Sequence, residues 1–420
     1  MVRARRLGHV VATSLALGAL TVAVTPAAQA GDSGHGAGRM GPTTARTTAV
    51  DPSAGPDFEM PFLCGQRWTG TTRSGHSPSY WTIDWNTPND LGKPALASAP
   101  GVVTRAVTLT GSYGRYVVVD HGGGYTTLYA HLNAIAATVG QVVDQGDLLG
   151  YVGGSGNVTG PHLHHEERLD GSYFAPYLHR TRFAFGTTPA SASCNDRPVT
   201  GDWDGDGTTD VGVFRTSASG TRFWTRTTAG SRTFAWGSVG DQPVVGEYDG
   251  DGVSQVGVRR LGSSTWVLRS KTGAAATVPR IGLPTDLPLT GDWDGNGRDN
   301  LGYYRFSTHT FYLRAEDGRL TAVPFGSTGD RPVTGDWDGD GTTDVGVFRD
   351  GTWRLRAPDG SVLEQRSYGQ AGDLPVTGDW NGDGTTDVGV WRPGNGSFYE
   401  QVPGADGTST RYVRYGSPRG

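Results

Sequence analysis

The hydrophobic positions of this chain fall into short runs broken by Gly, Asn and Asp, and few windows show a helical period. Between residues 56 and 196 the runs are Trp81–Trp85, Gly101–Thr110, Tyr116–Val119, Tyr125–Leu132, Leu148–Val152 and His162–Glu166. Turn sequences such as Gly122-Gly123-Gly124 separate them. Runs this short, bounded by turn residues, predict strands. Within WTIDW, Asp84 alternates with Ile83 and Trp85, which predicts a polar tip on a strand whose other face is core. In TTLYAHL the same alternation puts His131 on the face of Thr127 and Tyr129, opposite Leu128 and Ala130.

From residue 197 the chain repeats. PVTGDWDGDGTTDVGVFR (198–215) returns, with changes, at 243–260, 288–305, 332–349 and 375–392. Each copy is followed by an apolar residue and Gly: Trp236-Gly237, Ile281-Gly282, Phe325-Gly326, Tyr368-Gly369 and Tyr415-Gly416. A period in the low forties, with room for four short strands, predicts a β-propeller-like array of about five blades over 197–420, with an open array as the alternative. The apolar-Gly pairs are expected at solvent-exposed blade edges. The whole is all-β.

Two segments fall outside this pattern. Residues 1–30 read as a signal peptide: Arg3, Arg5 and Arg6, an apolar stretch from Val10 to Val24, and Ala28-Gln29-Ala30 at the cleavage position. The stretch is too short for a stable membrane span. Residues 31–55, rich in Gly, Ser, Thr, Pro and Ala, read as a flexible linker or pro-segment. The mature protein is therefore expected to be secreted, soluble and extracytoplasmic.

Composition adds little to this picture. Gly is frequent, at 67 residues, alongside 12 Trp, 16 Tyr and 13 Phe, so turns coexist with core-forming side chains, which suggests an all-β protein rather than a disordered one. The net charge of −5 and the lack of a basic face argue against nucleic acid. Cys64 and Cys194 are the only cysteines, and an oxidising compartment predicts one disulfide between them.

Three segments concentrate titratable side chains: SGHSPSYWTIDWN with His76 and Asp84, TTLYAHL with His131, and TGPHLHHE with His162, His164 and His165. On a strand His162 and His164 share a face and His165 takes the other. Imidazoles with one carboxylate suit zinc better than calcium or magnesium, and a catalytic zinc needs three ligands and one open position.

With these motifs, and with YGRYVVVDHGGGYTTLYAHL (113–132) and GPHLH (160–164), the region from about 60 to 185 resembles the lysostaphin/LytM-type zinc endopeptidases. Those enzymes cleave peptidoglycan peptides on a small antiparallel β-sheet. The resemblance implies a zinc endopeptidase domain over 56–196, with His76, Asp84 and His164 as metal ligands and His131 and His162 as catalytic histidines. Seven residues separate His76 from Asp84, where the family often has three. For an oxyanion-stabilising tyrosine, Tyr80, Tyr113 and Tyr129 remain open; Glu166 is at most an outer partner.

The repeat loops place acids at positions 1, 3, 5 and 9 of an oxygen-rich shell suited to Ca²⁺. They resemble the FG-GAP/VCBS-type loops of integrin-like propellers. The first loop offers Asp202, Asp204, Asp206 and Asp210, and the fourth Asp336, Asp338, Asp340 and Asp344. The third offers Asp292, Asp294 and Asn296, and the fifth Asp379, Asn381, Asp383 and Asp387. The second, with Glu247 first and Gln255 last, is expected to be weakest.

The expected function is therefore hydrolysis of peptidoglycan peptides with Zn²⁺ and Ca²⁺ as cofactors, the repeats reaching wall glycan or a surface protein. The alternative is a non-catalytic wall-binding protein or adhesin in which the repeats carry the function.

Overall fold

The computed structural model describes residues 55–420 except 194, 195, 218, 261, 262, 279, 358, 359, 406 and 418–420. The expected signal peptide lies outside the described residues, as does all but the last residue of the expected linker. So does Cys194, and with it the expected disulfide partner of Cys64. Among the described residues no helix is long and apolar enough to cross a membrane.

The N-terminal half is built on one antiparallel sheet. Its strands are β1 (Thr69–Thr71), β2 (Ile83–Asn86), β3 (Gly101–Thr108), β4 (Arg115–Asp120), β5 (Tyr125–Ala130), β6 (Val142–Val143) and β7 (Leu163–Leu169). They pair in the order β1-β2-β7-β5-β4-β3-β6, with Ser172–Tyr173 added beside β7. A smaller sheet joins Pro94–Leu96, Leu148–Tyr151 and Ala134–Ile135.

Alternation along the strands divides the main sheet into two faces. Ile83, Trp85, Val103, Val117, Val119, Tyr129 and Leu163 point into one core with Phe62 and Trp68. Tyr116, Leu128 and Ala130 form a thinner apolar floor on the other face. Asp84 and His164 alternate with the core residues and therefore stand on this second face, and their backbones pair directly. On the core side, Glu167 is fully buried. Its Oε2 accepts from the Tyr177 amide at 3.0 Å, while Oε1 has no partner among the described residues.

Burial pushes the Glu167 carboxyl up to about 8. Above its usual range the unfolded chain has released this proton while the folded one keeps it, so this residue makes stability fall as pH rises from about 4.5 to about 8. Glu167→Gln is expected to remove that slope, worth at most about 1.4 kcal/mol per pH unit. Urea unfolding of both proteins at several pH values checks it, and parallel slopes would contradict it.

The repeats form five four-stranded antiparallel sheets, the first starting at Asp196. Their first strands are Asp196–Gly201, Gln242–Gly246, Leu287–Gly291, Arg331–Gly335 and Leu374–Gly378. Neighbouring first strands are joined through threonine hydroxyls that donate to carbonyl oxygens: Thr290 to Val245, Thr334 to Thr290 and Thr377 to Thr334, at 2.6–3.2 Å. Ser254 Oγ accepts from the Asp202 amide between the first two sheets, and Thr200 donates to Thr377 O, joining the first sheet to the fifth.

The apolar-Gly pairs differ from expectation. Trp236, Phe325 and Tyr368 are half-buried against valines of the following sheet, and Tyr415 packs against Val211 and Val213 of the first. They are packing residues because a four-stranded sheet on its own leaves one face uncovered. The Gly that follows Phe325 has φ +107, and a Cβ there would meet Tyr304 Oη at 2.7 Å. A further repeated feature is internal to four of the five sheets: Arg215 pairs with Asp196, Arg305 with Asp286, Arg349 with Asp330 and Arg392 with Asp373, at 2.7–2.8 Å.

The two halves touch where the first strands of the repeats begin. Arg331 pairs with Asp144 at 2.7 Å and Arg197 with Asp147 at 2.5 Å. Val142 packs near Phe306, and Leu148 near Val239. The acidic loops follow the opposite ends of those strands.

Candidate metal centre

The second face of the main sheet gathers all five histidine and aspartate positions expected at the site. His76 Nε2 is 3.0 Å from Asp84 Oδ2, and His164 Nδ1 is 2.9 Å from Asp84 Oδ1. One ligand atom from each of the three lies within 4.8 Å of the others, and all three residues are buried. The ring of His131 lies 4.9 Å from that of His162 and 5.7 Å from that of His164.

His131 reaches this face by a route the alternation did not predict. As a continuing strand residue it would join Tyr129 in the core. Instead β5 stops at Ala130 and His131 takes φ +61, a left-handed conformation uncommon for a side chain this large. Its amide donates to Tyr113 O at 2.9 Å, and the turn returns the imidazole to the face of His164. Strain of this kind costs on the order of 1–3 kcal/mol and persists only where surrounding contacts hold it.

Each imidazole has its second nitrogen occupied. His131 Nδ1 lies 2.9 Å from Ser155 O and His162 Nδ1 3.0 Å from Gly160 O, leaving both Nε2 atoms toward the site. His76 Nδ1 sits 3.1 Å from the hydroxyls of Thr72 and Thr82, so its Nε2 faces Asp84. His164 Nε2 lies 3.0 Å from Glu166 Oε1, which turns Nδ1 to Asp84. Such outer contacts fix which ring nitrogen is available to a metal.

Glu166 lies where an outer partner was expected, against His164 Nε2. It has the same signal as its neighbours, since His162, His164, Glu166 and Arg168 alternate onto one face. The carboxylate is fully buried, accepts from Tyr113 Oη at 2.7 Å and pairs with Arg168. Of the three candidate tyrosines, Tyr113 meets the site, its ring 5.8 Å from that of His164. Tyr80 is exposed, and the Tyr129 hydroxyl accepts from the Ser98 amide in the core. His165 lies on the core face as expected, beside Ser98 Oγ, and burial pushes its imidazole down to about 3.

The charges favour a cation at the centre. Burial alone would raise the Asp84 carboxyl, but hydrogen bonds to His164 and His76 hold it well below the usual carboxylate range. Burial opposes charge on His164, yet Asp84 and Glu166 outweigh it and raise its pKa. Burial pushes His131 down to about 4, so it is neutral near pH 7. Two imidazoles and one carboxylate converging in this way fit a zinc ion.

In the repeats, Asp202, Asp204 and Asp206 come together, as do Asp336, Asp338 and Asp340. Glu247, Asp249 and Asp251 of the second loop converge as well, although the Lys271 ammonium lies against Asp251. Asp202 caps its own turn, accepting from the amides of Gly205 and Gly207, and Asp292, Asp336 and Asp379 accept likewise in their loops. Burial first, and neighbouring acids after it, push Asp210 and Asp344 up to about 6 and Asp387 up to about 7. One carboxylate oxygen of Asp344 and one of Asp387 have no hydrogen-bond partner among the described residues.

Residues 80–176 match the model of Peptidase family M23, a span that includes Asp84, His131, His162 and His164 and begins just after His76. Over 94 residues the chain is 44% identical to the DD-carboxypeptidase/endopeptidase Mpg of Neisseria meningitidis serogroup B, covering 22% of this chain and 21% of that protein. Over 77 residues it is 46% identical to the peptidoglycan DD-endopeptidase ShyA of Vibrio cholerae, covering 18% and 17%. The chain thus spans about a fifth of the length of these relatives. The catalytic domain of the prophage-encoded M23 protein EnpA from Enterococcus faecalis aligns at 28% identity with a TM-score of 0.24, over 29% of this chain and 94% of that one.

Proposed function

We propose that this chain is a secreted zinc endopeptidase that hydrolyses peptide bonds in bacterial peptidoglycan, with an M23 domain followed by a closed ring of five calcium-binding sheets. The convergence of His76 Nε2, the Asp84 carboxylate and His164 Nδ1 carries the reading. The similarity to the peptidoglycan DD-endopeptidase ShyA and to the DD-carboxypeptidase/endopeptidase Mpg supports the substrate class.

Bound by those three groups, zinc supplies polarisation of the scissile carbonyl and brings the pKa of a water from about 15.7 toward about 7. The protein's own residues do the rest. His131, neutral and holding its Nδ1 on Ser155 O, presents Nε2 to accept the proton of the attacking water and return it to the leaving amine. His162 stands beside it with Nδ1 donating to Gly160 O, and in its protonated form it would donate from Nε2 to the developing oxyanion. Glu166 holds His164 in the orientation that frees Nδ1, and Tyr113 and Arg168 hold Glu166. Purified protein should release peptides from isolated walls, lose this activity in chelator and regain it with added zinc. Activity indifferent to chelation would sink the assignment.

The ring reading rests on the Thr200–Thr377 hydrogen bond and on Tyr415 packing against the first sheet. The repelling carboxylates at Asp210, Asp344 and Asp387 support calcium. Without a cation their raised pKa values make stability fall as pH rises through about 6 to 7, because the unfolded chain has already released those protons. Millimolar calcium should therefore raise the melting temperature, and more so at about pH 7.5 than at pH 5. Each site binding only the folded state adds about 2.7 kcal/mol at a hundredfold excess over Kd. Calorimetry with and without calcium at both pH values checks this, and an unchanged melting temperature would leave the acids as turn caps. Bound to wall glycan or a surface protein, the ring would keep the peptidase at an insoluble substrate.

A further inference from the structure

The second face of the main sheet continues past the metal centre as a groove of about 360 Å³, lined by Tyr113, Tyr116, Leu128, Arg105 and Arg168 among others. Its floor is apolar, built from Tyr116, Leu128 and Ala130 with Val107 and Val118 packed on them. The groove holds two guanidinium groups. Arg168 is committed to Glu166 through Nε and Nη2. Arg105 is exposed, and its side chain makes no ion pair or hydrogen bond among the described residues.

Arg105 is on this face because of a local irregularity. Pairing of β3 with β4 shifts between Val103 and Arg105, so that Val103 faces Val119 and Arg105 faces Val118, with Thr104 as the extra residue. Val103 and Ala106 both pack on the core, three positions apart, which uninterrupted alternation forbids. The bulge thus re-aims Arg105 into the groove. From there a straight row crosses the sheet: Arg105 opposite Val118, Val118 opposite Leu128, and Leu128 opposite Glu166, which touches His164. Three strand spacings put Arg105 about 14 Å from Glu166, a span an extended peptide covers in about four residues.

We infer that Arg105 is a specificity-determining residue that binds a free carboxylate of an acidic stem peptide lying across this groove, several residues from the bond that is cut. The inference deepens the reading above and rests on it. The apolar floor receives the peptide backbone and alanyl methyl groups, while the unpaired guanidinium selects an anionic side group over its amidated counterpart.

The test uses the zinc-loaded full chain and two soluble stem peptides that differ only in a free or amidated α-carboxyl on the acidic residue. Arg105→Ala is expected to weaken binding of the free-carboxylate peptide about three- to tenfold, as for a partly exposed charge-assisted pair. It should raise KM by the same factor, leave kcat unchanged and barely alter the amidated peptide. Arg105→Glu should weaken the acidic peptide further. Calorimetric binding is measured beside turnover, so the two claims separate. If the wild-type protein cuts neither peptide, the endopeptidase reading fails. If Arg105→Ala binds both peptides as the wild type does, or loses both equally, the carboxylate assignment is overturned. Arg105 is exposed, so the variant should keep the wild-type melting temperature.

Discussion

Replacing His131 or His162 by alanine should leave zinc bound and lower hydrolysis of a soluble wall peptide by about 10²–10⁴-fold, the range typical of losing a proton-transfer group or an oxyanion donor. Neither side chain belongs to the converging trio of His76, Asp84 and His164. Both are nevertheless in ring contact with one another beside it, with Nδ1 anchored on a carbonyl. His131→Ala keeps the Cβ that makes the left-handed position costly, so the backbone strain is unchanged and folding should survive. Metal analysis and single-turnover kinetics on the same preparations decide the matter. Full activity in either variant would remove that histidine from the chemistry.

Removing a ligand should behave differently. His164→Ala or Asp84→Ala is expected to lose stoichiometric zinc, and with it all measurable hydrolysis, because two donors cannot replace a three-donor shell. Asp84 lies at the middle of the trio, touching both His76 and His164, so its loss should be the more severe. Glu166→Ala should retain zinc with an affinity lowered about 10–100-fold, the usual effect of deleting an outer partner. Competition with a chromophoric chelator ranks the variants. If His164→Ala held zinc at the wild-type affinity, the ligand set would be wrong.

The parts of this site that were legible in the sequence are those governed by strand alternation. Asp84 between Ile83 and Trp85, and His164 between Leu163 and His165, stand where a period of two places them, since their neighbours enter the core. His131 escaped that rule because its strand ends one residue earlier, and a positive φ has no signature in TTLYAHL. Arg105 escaped it for a related reason: a single bulge residue reverses the faces of everything beyond it. The five repeats were legible because each copy carries its own turn residues. The role of Trp236 or Tyr415 was not, because packing on the next sheet is a long-range contact that local pattern does not encode. The Asp144–Arg331 and Asp147–Arg197 pairs are hidden for the same reason.

The central claim is that this chain cuts peptide bonds, not glycan, in cell walls through a zinc held by His76, Asp84 and His164. Mass spectrometry of the soluble products released from purified walls addresses it most directly. The account predicts fragments with a newly exposed amino terminus within the stem or cross-bridge peptides, produced by the zinc-loaded protein and absent with Asp84→Ala. Fragments bearing new glycan reducing ends with every peptide intact, or identical products from the Asp84→Ala protein, would contradict it.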